Sequence, residues 1–310
     1  MKIACFLIDK YQKIIFRSSF ENIIILNEPL STKNMNLFLD ADIIVSRARG
    51  IKLKFDEKIL KKFHNLKLIC SMSSGFDHID LKYCKKNNIS VSNVPSYAES
   101  SVAEYTFALI LSISRKILTS LKPINSKFNY NNLTGFELDG KTLGIIGSGK
   151  IGLKVIKIAR GFNMKVIAYD IYHNENARKN LDFEYLQLDD VIRNSDIISL
   201  HIPYNEKTFH LLNKDNLSLL KKGAIIINNS RGELIDSESL YQALKSGRIS
   251  FAGLDVLEKN SKFNKKIMNM KNVFISPHNA SNTIEAKNKV LEETIKNIYA
   301  FMNGDGRNLL

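Results

Sequence analysis

Short, uniformly apolar runs alternate with longer amphipathic stretches along the chain. Runs at positions 2–8, 23–26, 43–45 and 66–70 make up a first series. A second series falls at 142–146, 166–169, 197–200, 224–227, 251–254 and 273–275. Runs this short, with helix-length segments between them, predict parallel strands buried on both faces. Two series predict two α/β domains. Between them, Val102, Tyr105, Ala108, Leu109 and Ser112 recur at helical spacing, which predicts a long connecting helix over 97–120. The polar stretch 125–134 reads as a loop. The stretch 284–302 is again helical and is expected to return to the first domain. The expected division is 1–98 plus 284–310 for one domain and 99–283 for the other. No internal repeat is visible.

Composition adds bounds to this picture. A chain of 310 residues with 44% apolar content suits two compact domains with full cores. Cys5, Cys70 and Cys84 lack metal-type spacing and sit in or near apolar stretches, so they read as reduced, buried thiols. Charge interrupts the N-terminus too early for a signal peptide, and no window approaches the ~20 apolar residues that span a bilayer. The expectation is a soluble, cytoplasmic protein with no membrane partner. The net charge of +14 is spread over the whole chain rather than gathered into a stripe. That pattern argues for solvated surface lysines, with steering of a small anionic substrate as the second outlet. A nucleic-acid partner is not expected, because phosphate-backbone binding needs a concentrated basic surface.

Candidate chemistry begins at Gly147-Ser148-Gly149-Lys150-Ile151-Gly152. A lone G-x-G-x-x-G is weak evidence, but this one follows an apolar run and opens a helical segment over 151–162, as dinucleotide binding requires. Gly147 permits the tight turn, Gly149 lets backbone approach a pyrophosphate, and Gly152 lets helix and strand pack closely. The N-terminal N–H groups of the helix, at Lys150 and Ile151, then face the phosphates. A second strand ends at Asp170, eighteen residues after Gly152. A carboxylate there accepts from ribose hydroxyls and repels a 2′-phosphate, and the following Ile171-Tyr172 supply no arginine. The expected cofactor is NAD. Farther on stand Arg231, which can hold a carboxylate, and His278, which can move a proton. Behind a dinucleotide site, that pair implies hydride transfer.

With these residues in place, the chain resembles the D-isomer-specific 2-hydroxyacid dehydrogenases over nearly its whole length. Ser74-Gly75-Phe76-Asp77-His78-Ile79-Asp80 resembles the family's substrate loop, whose backbone N–H groups receive the substrate carboxylate. Ser73, Ser74 and Gly75 are the implied binding residues. Val91-Ser92-Asn93-Val94-Pro95, then Val102-Ala103-Glu104-Tyr105, resemble the hinge and the helix behind it, with Val102 on the cofactor side. His201-Ile202-Pro203 and Thr208 resemble the stretch lining the nicotinamide-side ribose. Asn228-Asn229-Ser230-Arg231-Gly232 and Pro277-His278-Asn279-Ala280 resemble the segments that carry the catalytic arginine and histidine. Asn229 and Ser230 are implied cofactor contacts. Asp255 is similar to the aspartate that hydrogen-bonds the nicotinamide carboxamide. The resemblance implies two flavodoxin- and Rossmann-like domains with parallel sheets, an active-site cleft between the domains, and a homodimer.

The chain departs from the family at one catalytic position. Members usually place a glutamate five residues after the aspartate, followed by proline, to pair with the histidine. Here Asn260 and Ser261 stand there. An amide can orient an imidazole but supplies no charge, a loss of about 1–3 kcal/mol in the transition state. Glu258 is the carboxylate nearby in sequence that could substitute. Formate dehydrogenases of the same superfamily also resemble the chain in carrying an amide, but they are longer.

Substrate identity is less legible. Arg47, Arg49 and Lys52 follow the run 43–45, near where phosphoglycerate dehydrogenases contact a phosphate. A solvated loop explains them equally well. D-glycerate or D-3-phosphoglycerate is the leading expectation, with a glyoxylate, hydroxypyruvate or D-lactate-type reductase as the alternative. An NAD-sensing scaffold with weakened catalysis is a rival from a different class.

Overall fold

The computed structural model describes residues 1–6, 8–47, 53–120 and 133–310. The chain divides into two compact units, Met1–Tyr97 with Asn282–Leu310, and Ala98–Ser281. Each unit contains a wholly parallel sheet among its described residues.

The first unit has five strands: β1 (Ile3–Phe6), β2 (Ile23–Leu26), β3 (Ile43–Ser46), β4 (Leu68–Ser71) and β5 (Ser90–Ser92), in the order β2-β1-β3-β4-β5. Alternate strand residues supply the two faces. Ile3, Cys5, Ile43, Val45, Leu68 and Cys70 pack with Phe16 of the helix Lys10–Ser19 and with Val290, Leu291 and Ile298 of Ile284–Met302. Ala4, Phe6, Ile44, Ile69 and Val91 face the other way, toward Phe38, Ile59 and Leu60. Each such aliphatic side chain contributes about 1.5–3 kcal/mol on burial. The C-terminal helix is tied down by Asn297 Nδ2, which donates to Asn93 O at 2.9 Å, and by Tyr299 against Phe20. The apolar run 2–8 is shorter as a strand than its pattern suggests. Asp9 caps the next helix by accepting from Gln12 N, and Leu7 lies outside the described residues.

The second unit has seven strands: β6 (Thr142–Ile146), β7 (Lys165–Tyr169), β8 (Glu184–Tyr185), β9 (Ile197–Leu200), β10 (Ala224–Asn228), β11 (Ile249–Leu254) and β12 (Val273–Ile275). Their order is β12-β11-β10-β9-β6-β7-β8. Ile198, Leu200, Ile226, Ala252 and Leu254 pack on the side of Val191, Leu240 and Ile267. Leu143, Ile145, Ile197, Ile225 and Ile227 face Phe107 and Ile110 of Glu99–Ser114 and Val155 and Ile156 of Lys150–Gly161. The expected connecting helix is broken. Glu99–Ser114 ends where Phe136 N takes the Ser114 carbonyl, and Ile117–Ser120 begins after Lys116 turns to φ +52°. Strands β5 and β8 escaped the apolar pattern because they are two or three residues long and partly polar. Of the expected loop 125–134, residues 125–132 lie outside the described residues, and 133–134 carry no regular structure.

The strand order reverses beside β6, whose neighbours are β9 on one side and β7 on the other. In open parallel sheets a ligand binds at the carboxyl edge, at such a switch point.

Candidate active site

The carboxyl edge of the seven-stranded sheet gathers the sequence candidates in spatial order. His278 follows β12, Asp255 follows β11, Arg231 follows β10, His201 follows β9, Gly147 follows β6 and Asp170 follows β7. Residues spread over 131 positions of sequence therefore become neighbours strand by strand.

Gly147 lies at φ +101°, and a Cβ there would strike the backbone of His201. Gly149 caps the helix Lys150–Gly161, one residue earlier than the pattern placed its start, and nothing lies within 4 Å of where its Cβ would be. A Cβ on Gly152 would collide with the Gly147 carbonyl. The open space above Gly149, the free end of a twelve-residue helix and the carboxylate of Asp170 fit a dinucleotide. Asp170 Oδ2 accepts from Ser148 N at 2.6 Å and from Ser148 Oγ, while Oδ1 accepts from Tyr172 N. The carboxylate is thereby fixed against the glycine turn. Tyr185 OH adds a 2.8 Å bond to Ser148 Oγ.

His201 forms a 2.9 Å hydrogen bond with Ser199 Oγ, and desolvation lowers its pKa from 6.5 to about 3. The wall that His201 gives the glycine turn is its backbone, whose carbonyl lies where a Cβ on Gly147 would go. Pro203 and Thr208 close one loop: Thr208 Oγ1 donates to Pro203 O at 2.9 Å and accepts from Asn205 N. Val102 and Asn229 are linked through Thr106. Asn229 Nδ2 donates to Thr106 Oγ1 at 3.0 Å, which donates to Val102 O at 2.8 Å. Ser230 Oγ donates to Ile202 O at 2.5 Å, which ties the loop after β10 to the loop after β9.

Two buried polar residues shape the turns that carry Arg231 and His278. Asn228, at the end of β10, accepts from Ser230 N and donates to Arg231 O at 2.8 Å. Asp255 is 1% exposed. Its carboxylate accepts from Ser276 Oγ, Asn279 N and Ala280 N, and its carbonyl accepts from His278 N at 2.9 Å. These bonds hold His278 at φ +54°, a region that few side chains occupy. The carboxylate is turned to this loop, and little of its surface is left for a nicotinamide carboxamide.

Asn260 and Glu258 part company with the expectation. Asn260 is exposed at φ +60°, and among the described residues none forms a hydrogen bond with its amide. Glu258 is not a substitute partner for His278. Its Oε1 accepts from His210 Nε2 at 2.7 Å and its Oε2 from Ser237 N at 3.3 Å. The bond to Ser237 N holds this side chain at the start of the helix Ser237–Lys245. His210, Asp236 and Glu258 form a group with metal-like spacing. The 2.7 Å His–Glu separation is that of a direct hydrogen bond, and the Asp236 carboxylate is engaged as a helix cap with Ser239. Sequence patterning missed His210, and no signal in the chain points to it.

In the first unit, the turn at 73–75 follows β4. Ser73 Oγ donates to Gly75 O at 2.7 Å, Ser71 Oγ bonds both, Asn93 Nδ2 donates to Ser74 O and Val94 N to Ser73 O. All three carbonyls of the turn are engaged, which fixes its backbone. Arg47 immediately follows β3, next to Ser46, whose Oγ pairs with His78 Nε2 at 2.9 Å. Arg49 and Lys52 lie outside the described residues.

Comparison with known proteins accords with this geometry. Residues 107–280 match the family model "D-isomer specific 2-hydroxyacid dehydrogenase, NAD binding domain". The chain is 36% identical over 260 residues to a glyoxylate reductase of Thermococcus litoralis, covering 81% of this chain and 78% of that one. It is 37% identical over 269 residues to a hydroxypyruvate reductase of Thermotoga maritima, covering 86% of each. The D-lactate dehydrogenase of Aquifex aeolicus, solved with NAD and lactic acid, superposes with TM-score 0.89 at 34% identity, covering 98% of this chain and 96% of that one. This chain belongs to the D-isomer-specific 2-hydroxyacid dehydrogenases and is an NAD-dependent enzyme of that family.

Proposed function

We propose that the chain reduces a small 2-oxo acid, glyoxylate or hydroxypyruvate, to the 2-hydroxy acid. The observation that carries this reading is the pair of turns after β10 and β12, each fixed from one of two adjacent strand ends: Asn228 at the end of β10 sets the backbone of Arg231, and Asp255 after β11 sets that of His278. Gly149, the N-terminus of the helix Lys150–Gly161 and Asp170 would hold NADH, which would supply the hydride for the reduction. Arg231 offers a guanidinium fork to the carboxylate and carbonyl oxygen, and His278 delivers the proton to the developing alkoxide. In the first unit, the fixed turn of Ser73, Ser74 and Gly75 presents backbone N–H groups of the kind that receive a carboxylate.

Among the sequence expectations, the glyoxylate and hydroxypyruvate alternative is better supported than 3-phosphoglycerate. Relatives that match 81% and 86% of this chain carry those names. A D-lactate-type activity is the second reading, on the strength of the Aquifex enzyme's match. A homodimer in a cytoplasmic setting accompanies both readings.

The test is NADH oxidation by the purified protein with glyoxylate, hydroxypyruvate, pyruvate and 3-phosphohydroxypyruvate. His278→Ala is expected to lower kcat by about 100-fold or more while leaving NADH affinity within about twofold. Tight NADH binding with no turnover on the panel would overturn the reading and favour an NAD-sensing scaffold.

A further inference from the structure

The sequence offers Glu258 as a substitute partner for His278, yet the fold pairs it with a different histidine. Three loops of the second unit meet at this residue. The loop after β9 brings His210, whose Nε2 bonds Glu258 Oε1 at 2.7 Å. The segment after β10 brings Ser237 N to Glu258 Oε2 at 3.3 Å and Asp236 Oδ1 to 3.9 Å from His210 Nδ1. Glu258 itself lies on the segment after β11, and its carbonyl accepts from Asn264 Nδ2 at 2.7 Å. The contact continues into the catalytic turn. Gly232, the residue after Arg231, lies so close to Leu257 and Glu258 that a Cβ there would overlap their backbone. His210 N donates to Glu233 O at 2.9 Å, Leu212 N donates to Leu234 O at 3.0 Å, and Asp236 N donates to Leu212 O. The backbone on the C-terminal side of Arg231 is therefore held between the His210 loop and the Glu258 loop. Asn228 and Ser230 hold its N-terminal side.

His210 sits at φ +48° with its ring stacked on Phe209 at 3.8 Å. A histidine in that backbone region costs free energy that the surroundings must supply, and the bond to Glu258 is the contact that it secures. We propose that the His210–Glu258 pair is a positioning device for Arg231: it sets where the guanidinium stands, and so how well the 2-oxo acid is bound, without itself touching substrate. This rests on the reading of Arg231 as the group that anchors the substrate carboxylate.

The test compares Glu258→Ala, Glu258→Gln and His210→Asn by steady-state kinetics and by NADH titration. Asparagine is chosen because it tolerates a left-handed backbone, and glutamine because it keeps an acceptor for the imidazole N–H. Glu258→Ala and His210→Asn are expected to raise KM for the 2-oxo acid about tenfold, with kcat changed less and NADH affinity within about twofold. Glu258→Gln is expected to recover KM to within about threefold of the wild type. Combining His210→Asn with Glu258→Ala should cost no more than either change alone, since both break one interaction. An unmoved KM in His210→Asn or Glu258→Ala would overturn the proposal, as would NADH affinity falling in parallel with it. Should Glu258→Ala fail to fold, His210→Asn and Glu258→Gln decide the matter by the same criteria. A wild type that turns over but has insensitive variants refutes this inference alone. A wild type that reduces none of the four 2-oxo acids refutes the function and this inference with it.

Discussion

The three glycines of the fingerprint do different physical work, and single substitutions separate them. Gly149 has φ −68° and open space where a side chain would go, so alanine is sterically free in the unliganded fold. A methyl group there would occupy the room that the pyrophosphate needs. Gly152 has the Gly147 carbonyl at that place instead. Gly149→Ala should therefore keep its melting temperature within about 2 °C and lose at least about tenfold in NADH affinity. Gly152→Ala should lose about 1–3 kcal/mol of stability, as overpacking does, together with its affinity. Thermal melts beside NADH titrations would show it. Equal melting temperatures for the two variants would contradict this account of the turn. Gly147, at φ +101° and packed on His201, should tolerate no side chain at all.

At the scale of elements, the segments that carry Arg231 and His278 are loops whose shape is set by the strand ends behind them. Asp255 is the clearest case. Buried and accepting three hydrogen bonds from the segment 276–280, it makes the turn of His278 an extension of β11. Asparagine in its place keeps one acceptor oxygen and turns the other side into a donor facing backbone N–H groups. Leaving a buried donor unmet costs about 1–3 kcal/mol. Asp255→Asn should speed amide exchange at Asn279 and Ala280 by about tenfold or more while amides of β6 and β7 keep their protection. Hydrogen exchange resolved by residue would check this, and unchanged protection at 279 and 280 would remove Asp255 from this role. The motif around Asp255 was visible in the sequence, whereas its partners were not, because they lie 21 to 25 residues away along the chain.

For the molecule as a whole, the neutral His201 predicts a pH dependence of stability. Burial lowers its pKa from 6.5 to about 3, so the unfolded chain takes up a proton that the folded chain refuses. The stability tied to this group is complete above about pH 6.5 and drains as the pH falls toward 3. The slope is about 1.4 kcal/mol per pH unit, or about 3 kcal/mol between pH 6 and 4. Asp42, Asp196 and Asp236 also have lowered pKa values and pull in the same direction, but below their usual 3.8. Denaturant midpoints at several pH values should therefore shift already between pH 6 and 4, and His201→Gln should flatten that part of the curve. A curve that stays flat down to pH 4 in the native chain would show that His201 is solvated. The cysteines add no titration in this range, since burial pushes Cys70 and Cys84 up to about 11 and raises Cys5 as well. No helix of the described residues is long and apolar enough to cross a membrane.

The sequence by itself determined the parallel strands, the glycine turn and the carboxylate that follows β7. These depend on short-range patterns: uniformly apolar runs, glycines at fixed spacing, and a carboxylate just past a strand. Segments without such a pattern were misjudged. Strands β5 and β8 are too short and polar to show one, and the break after Ser114 is imposed by Phe136 from outside the helix. The tertiary structure alone decided which partners Asp170, Asp255, Glu258 and His210 hold. Strand order placed His278, Asp255, Arg231, His201, Gly147 and Asp170 side by side. Proximity in space then committed Glu258 to His210, 48 residues away, although Asn260 lies only two positions along the chain. Hydrogen-bond partners are set by backbone direction and distance, and a linear pattern records neither.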